Sequence, residues 1–253
     1  MNDKPTRKRL DVLVVERGLA ESRQKAQAMI LAGEVSVDGS RAAKAGATIP
    51  DSAHIEVHSR LQKYASRGGF KLEGALEGFG VDPSGKICLD IGSSTGGFTD
   101  CLLQNGAAQV YAVDVNTDQL AWKLRDDARV TRVQKNAREL NIRDLRGSVD
   151  LVVADVSFIS VTKVLSGAVD CANPGADFLI LIKPQFELQR EDVGKGGIVR
   201  HAALHDKAIA SVRTAAESLG LADSRIAPSR VMGAEGNQEY FLHARKMAKV
   251  ESQ

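Results

Sequence analysis

Residues 176–186 read ADFLILIKPQF. The apolar run 178–182 has the length of a strand buried on both faces, and a lysine and then a proline end it at once. The same grammar recurs along the chain. Stretch 87–91 (ICLDI) carries Asp90 near its end, 109–113 (QVYAV) runs into Asp114, and 150–154 (DLVVA) runs into Asp155, as 178–182 runs into Lys183. A further short strand is expected at 129–133, and two last strand-like runs near 225–231 and 240–244. Helical spacing appears at Leu72, Ala75, Leu76 and Phe79, and again through 203–218. Continuous apolar strands alternating with helices predict an α/β domain whose mostly parallel sheet is covered on both faces. In such a sheet ligands bind beyond the carboxyl ends of the strands. Asp90, Asp114, Asp155 and Lys183 are therefore expected along one functional rim.

The stretch after the first of these strands, 90-DIGSSTGGFTD-100, places Gly92, Gly96 and Gly97 where a backbone must turn sharply and approach a ligand. It is not the GxGxxG dinucleotide fingerprint, because three residues separate its first two glycines. Asp114 lies 22 residues beyond Gly92, where an acid can accept ribose hydroxyls. A glycine turn with a ribose acid but no pyrophosphate signature suits a nucleoside without phosphates, such as S-adenosylmethionine. NAD remains the competing reading of this spacing.

Before this domain the pattern differs. Leu10, Leu13 and Val14 fall at helical spacing and Gly18 can end that helix. Ser22 is a candidate N-cap for a second helix carrying Ala26, Met29 and Ile30, with Gly33 beyond it. Val35 and Val37 alternate with polar residues ahead of Asp38-Gly39, a hairpin-type turn, and Ile55 and Val57 mark a closing strand. Helix, helix and short strands make a small α+β unit.

Composition narrows the classes. Of 253 residues, 43% are hydrophobic, enough for a proper core. No apolar run approaches the ~20 residues of a membrane span, and the charged start MNDKPTRKRLDVL does not read as a secretory signal. Cys88, Cys101 and Cys171 are odd in number and lack a CxxC pair, so neither a disulfide scaffold nor a zinc site is expected, and no metal is assigned. A reducing cytoplasm is the natural compartment. Residues 1–60 carry ten Lys and Arg against eight Asp and Glu, whereas 61–253 carry 24 of each. Stretch 57–72 holds Arg60, Lys63, Arg67 and Lys71 with no acid, which reads as a solvated linker or as a basic connector beside an RNA site.

The rim chemistry also restricts a methyl acceptor. Base-amino methylation commonly uses an Asn/Asp-Pro-Pro-aromatic run after the fourth strand, and here the run is 154-ADVSFIS-160. Attack through a pyrimidine carbon needs a cysteine nucleophile, and none of the three cysteines falls at the rim after the fourth or fifth strand. A hydroxyl acceptor needs help in losing its proton and placement against the methyl group, which Lys183 can supply.

At these residues the chain resembles the TlyA (hemolysin A-like) ribosomal RNA methyltransferases. The resemblance is carried by 64-YASRGGFKLEGAL-76, 90-DIGSSTGGFTD-100, 154-ADVSFIS-160, 180-ILIKPQFE-187 and 193-VGKGGIVR-200, and by 9-RLDVLVVERGLAESRQKAQAMILAGEVSVDG-39 for an S4-type module. It implies an S4-type RNA-binding domain over 8–58, a basic linker over 59–67, and an FtsJ-like domain over 68–246. The fold of the latter would be a Rossmann-like class I methyltransferase domain with a mostly parallel seven-stranded sheet. The implied activity is S-adenosylmethionine-dependent 2′-O-methylation of ribosomal RNA, with cytidine as the nucleoside. A non-catalytic RNA-binding assembly protein that keeps the fold is the alternative, and a literal membrane-lytic role is a third.

The family's Lys-Asp-Lys-Glu tetrad falls by motif on Lys71, Asp155, Lys183 and, in 236-GNQEYFLH-243, Glu239. The resemblance implies that Lys183 acts on the 2′-hydroxyl, that Asp155 and Lys71 set its charge state and position the ribose, and that Glu239 orients the acceptor. Implied cofactor residues are Asp90, Gly92, Ser94, Gly96, Gly97, Asp114 and Asn136. The glycine-containing loop 187–200 would be a lid over RNA, although His201 stands where relatives often carry an acid. Arg7, Lys8, Arg9, Arg23 and Lys25, with Arg60, Lys63 and Arg67, are candidate phosphate contacts. Only 4% of residues are aromatic, so folded RNA shape is expected to matter more than base stacking. A monomer acting on ribosomal RNA or ribosomal subunits, away from membranes, completes the expectation.

Overall fold

The computed structural model describes residues 6–20, 22–31, 33–42, 44–57, 63–233 and 236–248. These divide into two compact units between Lys63 and Tyr64. Arg60 lies outside the described residues.

The first unit contains β1 (Arg7–Arg9), α1 (Leu10–Glu16), α2 (Arg23–Leu31), β2 (Val35–Val37), β3 (Ser40–Arg41), β4 (Thr48–Pro50) and β5 (Ile55–Val57). Leu10, Leu13 and Val14 present one face of α1 to Ala26 and Ile30 of α2, and Val35 and Ile55 close this core from the strands. Gly18 adopts φ 69° where the chain leaves α1. Ser22 Oγ accepts the Lys25 amide at 3.2 Å, capping α2. Asp38 and Gly39 both have positive φ, 49° and 77°, as a two-residue hairpin turn between β2 and β3 requires.

One feature of this unit is absent from the sequence reading. Asp11 is fully buried. It accepts hydrogen bonds from Arg9 (3.0 and 2.9 Å), Gln27 (2.7 Å) and Arg23 (3.0 Å). These bonds, the Arg9 guanidinium foremost, outweigh burial and hold its carboxyl far below the usual carboxylate range. The resulting stabilisation is present above about pH 4 and is lost on acidification.

The second unit contains α3 (Gly68–Phe79), β6 (Ile87–Ile91), α4 (Gly97–Gln104), β7 (Gln109–Asp114), α5 (Trp122–Arg125), β8 (Val130–Gln134), β9 (Val149–Ala154), α6 (Thr162–Cys171), β10 (Ala172–Ile182), α7 (Pro184–Glu187), α8 (Ala202–Ser218), β11 (Leu221–Pro228) and β12 (Tyr240–Lys246). Its sheet has seven strands in the order β11-β12-β10-β9-β6-β7-β8. All neighbouring pairs from β10 to β8 are parallel, and β12 is antiparallel to both β10 and β11.

The continuous apolar strands have their explanation here. Alternate residues such as Tyr111, Val152, Phe178 and Ile180 pack toward Val164, Leu165 and Val212 of α6 and α8. The residues between them, such as Val110, Val153, Leu179 and Leu181, pack toward Leu72, Leu76, Phe98 and Leu102 of α3 and α4. With both faces buried, neither set can be polar. β6 lies between β7 and β9, so the chain reverses its direction of winding there and opens a crevice beyond the strand ends.

Two elements differ from the sequence reading. β10 begins at Ala172 rather than near 178, and its pairing with β9 shifts between Ala172 and Asp177. The intervening Asn173, Pro174 and Gly175 read as turn residues because the sequence does not reveal an irregular ladder. β11 spans 221–228 rather than 225–231. Leu221, buried to 1% exposure, anchors its start, and Pro228 ends it. Within the basic stretch, Tyr64 is 1% exposed, donates from its hydroxyl to Glu73 at 2.9 Å, and packs where Gly69 leaves room.

Candidate active site

The turn after β6 is built from backbone that side chains would block. The amides of Gly92 and Ser93 both donate to Val113 O, at 2.9 and 3.1 Å. Gly92 has φ 84°, and a Cβ there would lie 2.4 Å from Asp155 O. The turn thus fits against the end of β9 only as glycine. Gly97 opens α4 and borders the same cleft, which Ser93, Ser94 and Thr95 also line. Gly96 serves otherwise: a Cβ there would lie 2.2 Å from Leu124 Cδ1, so it admits core packing behind the turn.

The acids expected at the rim divide into two kinds. Asp114 faces the crevice, where its Oδ2 accepts the Ser94 amide at 3.0 Å and its Oδ1 accepts Asn116 N at 3.1 Å. Asn136 lines the same side while its Oδ1 accepts the Arg138 amide at 3.1 Å. Asp90, by contrast, is fully buried behind the glycine turn. Thr99 Oγ1 donates to its Oδ2 at 2.6 Å, while Oδ1 finds no partner among the described residues.

Burial pushes the Asp90 carboxyl up to about 7. The folded protein therefore keeps a proton that the unfolded chain releases near pH 4. Its contribution to stability falls as pH rises from about 4 to about 7. Asp90→Asn is expected to gain stability over the unsubstituted protein across that window and to keep the difference above it. Urea unfolding of both proteins at pH 5 and pH 8 measures this; an equal difference at the two pH values would refute it.

The crevice has two halves, of about 240 Å³ beside α3 and 370 Å³ beside Asp114, which share Gly92, Ser94, Asp155 and Ser157 along their wall. A third cavity of about 420 Å³ adjoins them and is lined by Lys71, Ser157, Phe158, Lys183, Phe186, Asn237 and Glu239, among others. Its charged groups are brought together by strand register. Ile182 pairs with Tyr240, so Lys183 just beyond β10 stands beside Glu239 just before β12. Ala154 pairs with both Ile91 and Ile180, which sets Asp155 at the same level. Lys71 comes from the first turn of α3.

The four side chains form two ion pairs. Lys71 Nζ donates to Glu239 Oε2 at 2.6 Å. Lys183 Nζ lies 2.5 Å from Asp155 Oδ1 and donates to Ser157 Oγ at 2.8 Å. The Lys183 and Glu239 side chains are 9% and 3% exposed, so the pairs are shielded from bulk water. Burial raises the Cys88 thiol to about 12 and the Cys171 thiol to about 11, which leaves both as inert core groups.

The 187–200 loop is tied to the wall of this cavity. Asn237 Nδ2 donates to Gly197 O at 2.8 Å, and Asn237 Oδ1 accepts the Val199 amide at 2.9 Å. Glu187 accepts from Ser160 Oγ at 2.5 Å and from Val161 N at 2.8 Å. Phe158 is 88% exposed, has φ 68°, and packs 5.5 Å from the Phe186 ring. A bulky residue in the left-handed region costs about 1–3 kcal/mol. Ser157, Phe158 and Asn237 escaped the sequence reading because each lies inside a motif recognised as a whole.

The phosphate candidates of the first unit are partly engaged. Lys8 pairs with Glu16 at 2.7 Å, Arg9 and Arg23 hold Asp11, and Arg7 donates to Thr48 O at 2.6 Å. Arg9 and Arg23 nevertheless remain about half exposed. Lys25 and Lys63 are exposed. In the second unit Arg67 is exposed and borders the cleft beside Gly68.

Comparison with known proteins agrees with this architecture. The FtsJ-like methyltransferase family matches residues 64–246 and the S4 domain family matches 8–55. The chain is 45% identical over 241 residues to the 16S/23S rRNA (cytidine-2′-O)-methyltransferase TlyA of Mycobacterium tuberculosis, covering 94% of this chain and 90% of that one. It is 44% identical over 237 residues to Hemolysin A of Brachyspira hyodysenteriae, covering 93% and 98% of the two chains. A solved structure of a candidate hemolysin from Streptococcus thermophilus superposes with a TM-score of 0.75 at 40% identity, covering 96% of this chain and 89% of that one. With a seven-stranded methyltransferase sheet and likeness running through both units, the chain belongs to the FtsJ-like methyltransferase family and carries an S4 domain ahead of the methyltransferase domain.

Proposed function

We propose that this protein transfers a methyl group from S-adenosylmethionine to a ribose 2′-hydroxyl of cytidine in ribosomal RNA. The observation that carries this reading is the pairing of Lys71 with Glu239 and of Lys183 with Asp155 around one cavity that adjoins the glycine-turn crevice. Two lysines facing a cavity suit a ribose and its flanking phosphates, and no thiol there suits attack on a base.

The crevice fits the cofactor on its own geometry. Gly92 lets the turn close against Asp155 O and lines both halves of the crevice, Ser93 Oγ is buried with no partner among the described residues, and Asp114 stands at the end of β7 where ribose hydroxyls can be accepted. Gly92, Ser94, Gly97, Asp114 and Asn136 would hold it, with Asp90 and Gly96 supporting the turn from behind. When bound, S-adenosylmethionine would supply an electrophilic methyl group, whose bond to sulfur breaks with the electron pair retained on sulfur.

The protein's own groups manage the acceptor. Lys183 Nζ takes the 2′-hydroxyl proton as the new O–C bond forms. It must act as the free amine, and Asp155 Oδ1 at 2.5 Å is the charge that stabilises the ammonium so formed. Lys71, fixed by Glu239, holds the ribose or its phosphate against that base. Phe158 offers an exposed ring beside this cavity on which the target base can stack.

The S4 unit, proposed as 8–58 with a basic connector over 59–67 ahead of a catalytic domain over 68–246, would anchor RNA through Arg7, Lys8, Arg9, Arg23 and Lys25. Arg60, Lys63 and Arg67 would add further phosphate contacts. Such contacts supply affinity and register rather than sequence choice. This reading makes the protein a cytoplasmic monomer whose partner is ribosomal RNA or a ribosomal subunit; no described helix is long and apolar enough to cross a membrane.

The test is methyl transfer from labelled S-adenosylmethionine to unmodified ribosomal subunits, followed by digestion and mass spectrometry of the labelled nucleoside. Label in 2′-O-methylcytidine supports the proposal. Label on a base, or RNA binding with no label, overturns it, and the second outcome favours a non-catalytic RNA-binding role.

A further inference from the structure

We propose that Ser157 is a positioning residue for Lys183: its hydroxyl, held on a strained turn, aims the Lys183 amine at the acceptor. This inference rests on the reading of Lys183 as the base.

Two oxygens lie close to Lys183 Nζ, and they act differently. Asp155 Oδ1 is nearer, at 2.5 Å, yet it finds no aligned hydrogen-bond donor among the described residues. The aligned hydrogen bond from Lys183 goes instead to Ser157 Oγ at 2.8 Å. Asp155 therefore supplies charge, whose attraction depends little on angle, whereas Ser157 supplies direction, because a hydrogen bond weakens steeply off its axis. An amine at the end of four methylene groups has no preferred heading of its own. With one N–H tethered to Ser157, the remaining positions on nitrogen have fixed headings.

The place of Ser157 fits this role. It lines both halves of the cofactor crevice and the cavity that holds Lys71 and Glu239, so it stands where donor and acceptor meet. It is an exposed residue, so its hydroxyl has no need of Lys183 to satisfy it. The next residue, Phe158, occupies the left-handed region at φ 68° with its ring 88% exposed. Burial of that ring does not offset the strain, and the turn it forms is what presents Ser157 at the rim. Strain retained without burial marks a backbone shaped for a site.

The experiment uses the full chain as Ser157→Ala, Ser157→Thr and Lys183→Ala beside the unsubstituted protein. Single-turnover methyl transfer to unmodified ribosomal subunits, calorimetric Kd for S-adenosylmethionine, and the ¹⁵N signal of the Lys183 amine are measured. Ser157→Ala is expected to lower the transfer rate by about 10–100-fold, as a small misplacement does, with Kd within about twofold. Ser157→Thr, which keeps the hydroxyl, recovers most of the rate. The Lys183 amine signal shifts in Ser157→Ala without RNA present.

An unchanged rate in Ser157→Ala would overturn the proposal. So would a loss explained by a weakened Kd, which would make Ser157 a cofactor contact, or failure of the threonine variant at full cofactor affinity. If Lys183→Ala keeps full activity, the reading of Lys183 as the base fails separately. The amine signal then still reports whether Ser157 orients it, and an unshifted signal refutes the tether itself.

Discussion

Replacing Lys183 with alanine is expected to lower methyl transfer by about 10²–10⁴-fold, the usual contribution of a positioned general base. The substitution removes the group proposed to receive the 2′-hydroxyl proton and leaves Asp155, 20% exposed, able to recruit water in its place. The glycine turn and Asp114 are untouched, so S-adenosylmethionine should still bind within a few-fold of its original affinity. Lys183→Arg should fail as well. A guanidinium keeps the positive charge and can still pair with Asp155, but it does not give up its proton to become a base. Single-turnover transfer and calorimetry separate the two effects. An arginine variant that works would mean that Lys183 supplies only charge.

Glu239→Ala is expected to destabilise the protein by about 3 kcal/mol as well as to abolish most activity. Glu239 is 3% exposed and Lys71 is 11% exposed, so removing the carboxylate strands an ammonium in a poorly hydrated place. Breaking a buried pair from one side costs about 3–5 kcal/mol, whereas replacing both partners with apolar groups is often close to neutral. Lys71→Met combined with Glu239→Ala should therefore recover much of the stability but none of the transfer. Denaturant unfolding of both single variants and the double variant completes the cycle. Additive losses in stability would show that the pair is not coupled. Recovery of activity in the double variant would remove both residues from the reaction.

The contrast between these two pairs explains what was legible in advance. Asp155 and Lys183 could be placed at one rim without coordinates, because each follows an apolar run and parallel strands end at the same edge. Lys71 and Glu239 could not be placed that way. Lys71 looks like any lysine in the first turn of a helix, and Glu239 like a surface acid before a strand; only likeness to a family singled them out. Their 2.6 Å contact spans 168 residues of sequence and depends on the Ile182–Tyr240 register. The antiparallel return of β12 creates that register, and no local pattern encodes it.

The acids show the same limit. Asp90 and Asp114 both stand at strand ends, yet one is sealed behind the glycine turn and the other faces the crevice. Alternation along a strand indicates that neighbours point to opposite faces, but which face opens to a ligand depends on what covers the sheet. Asp11 is a sharper case: one acid in an amphipathic helix reads as solvent-exposed, and three donors from β1 and α2 make it a buried junction.

The sequence by itself determined the class of the fold, the order of its elements, the rim on which charge collects, and the glycine turn that leaves backbone bare, because local periodicity and steric rules act over a few residues. The tertiary structure alone decided which carboxylate pairs with which lysine, which acid is hidden, and that Ser157 rather than Asp155 receives the aligned hydrogen bond of the Lys183 amine. Those outcomes depend on distances of 2.5–2.8 Å between groups from different strands and helices, and such distances are set only when register and packing are complete.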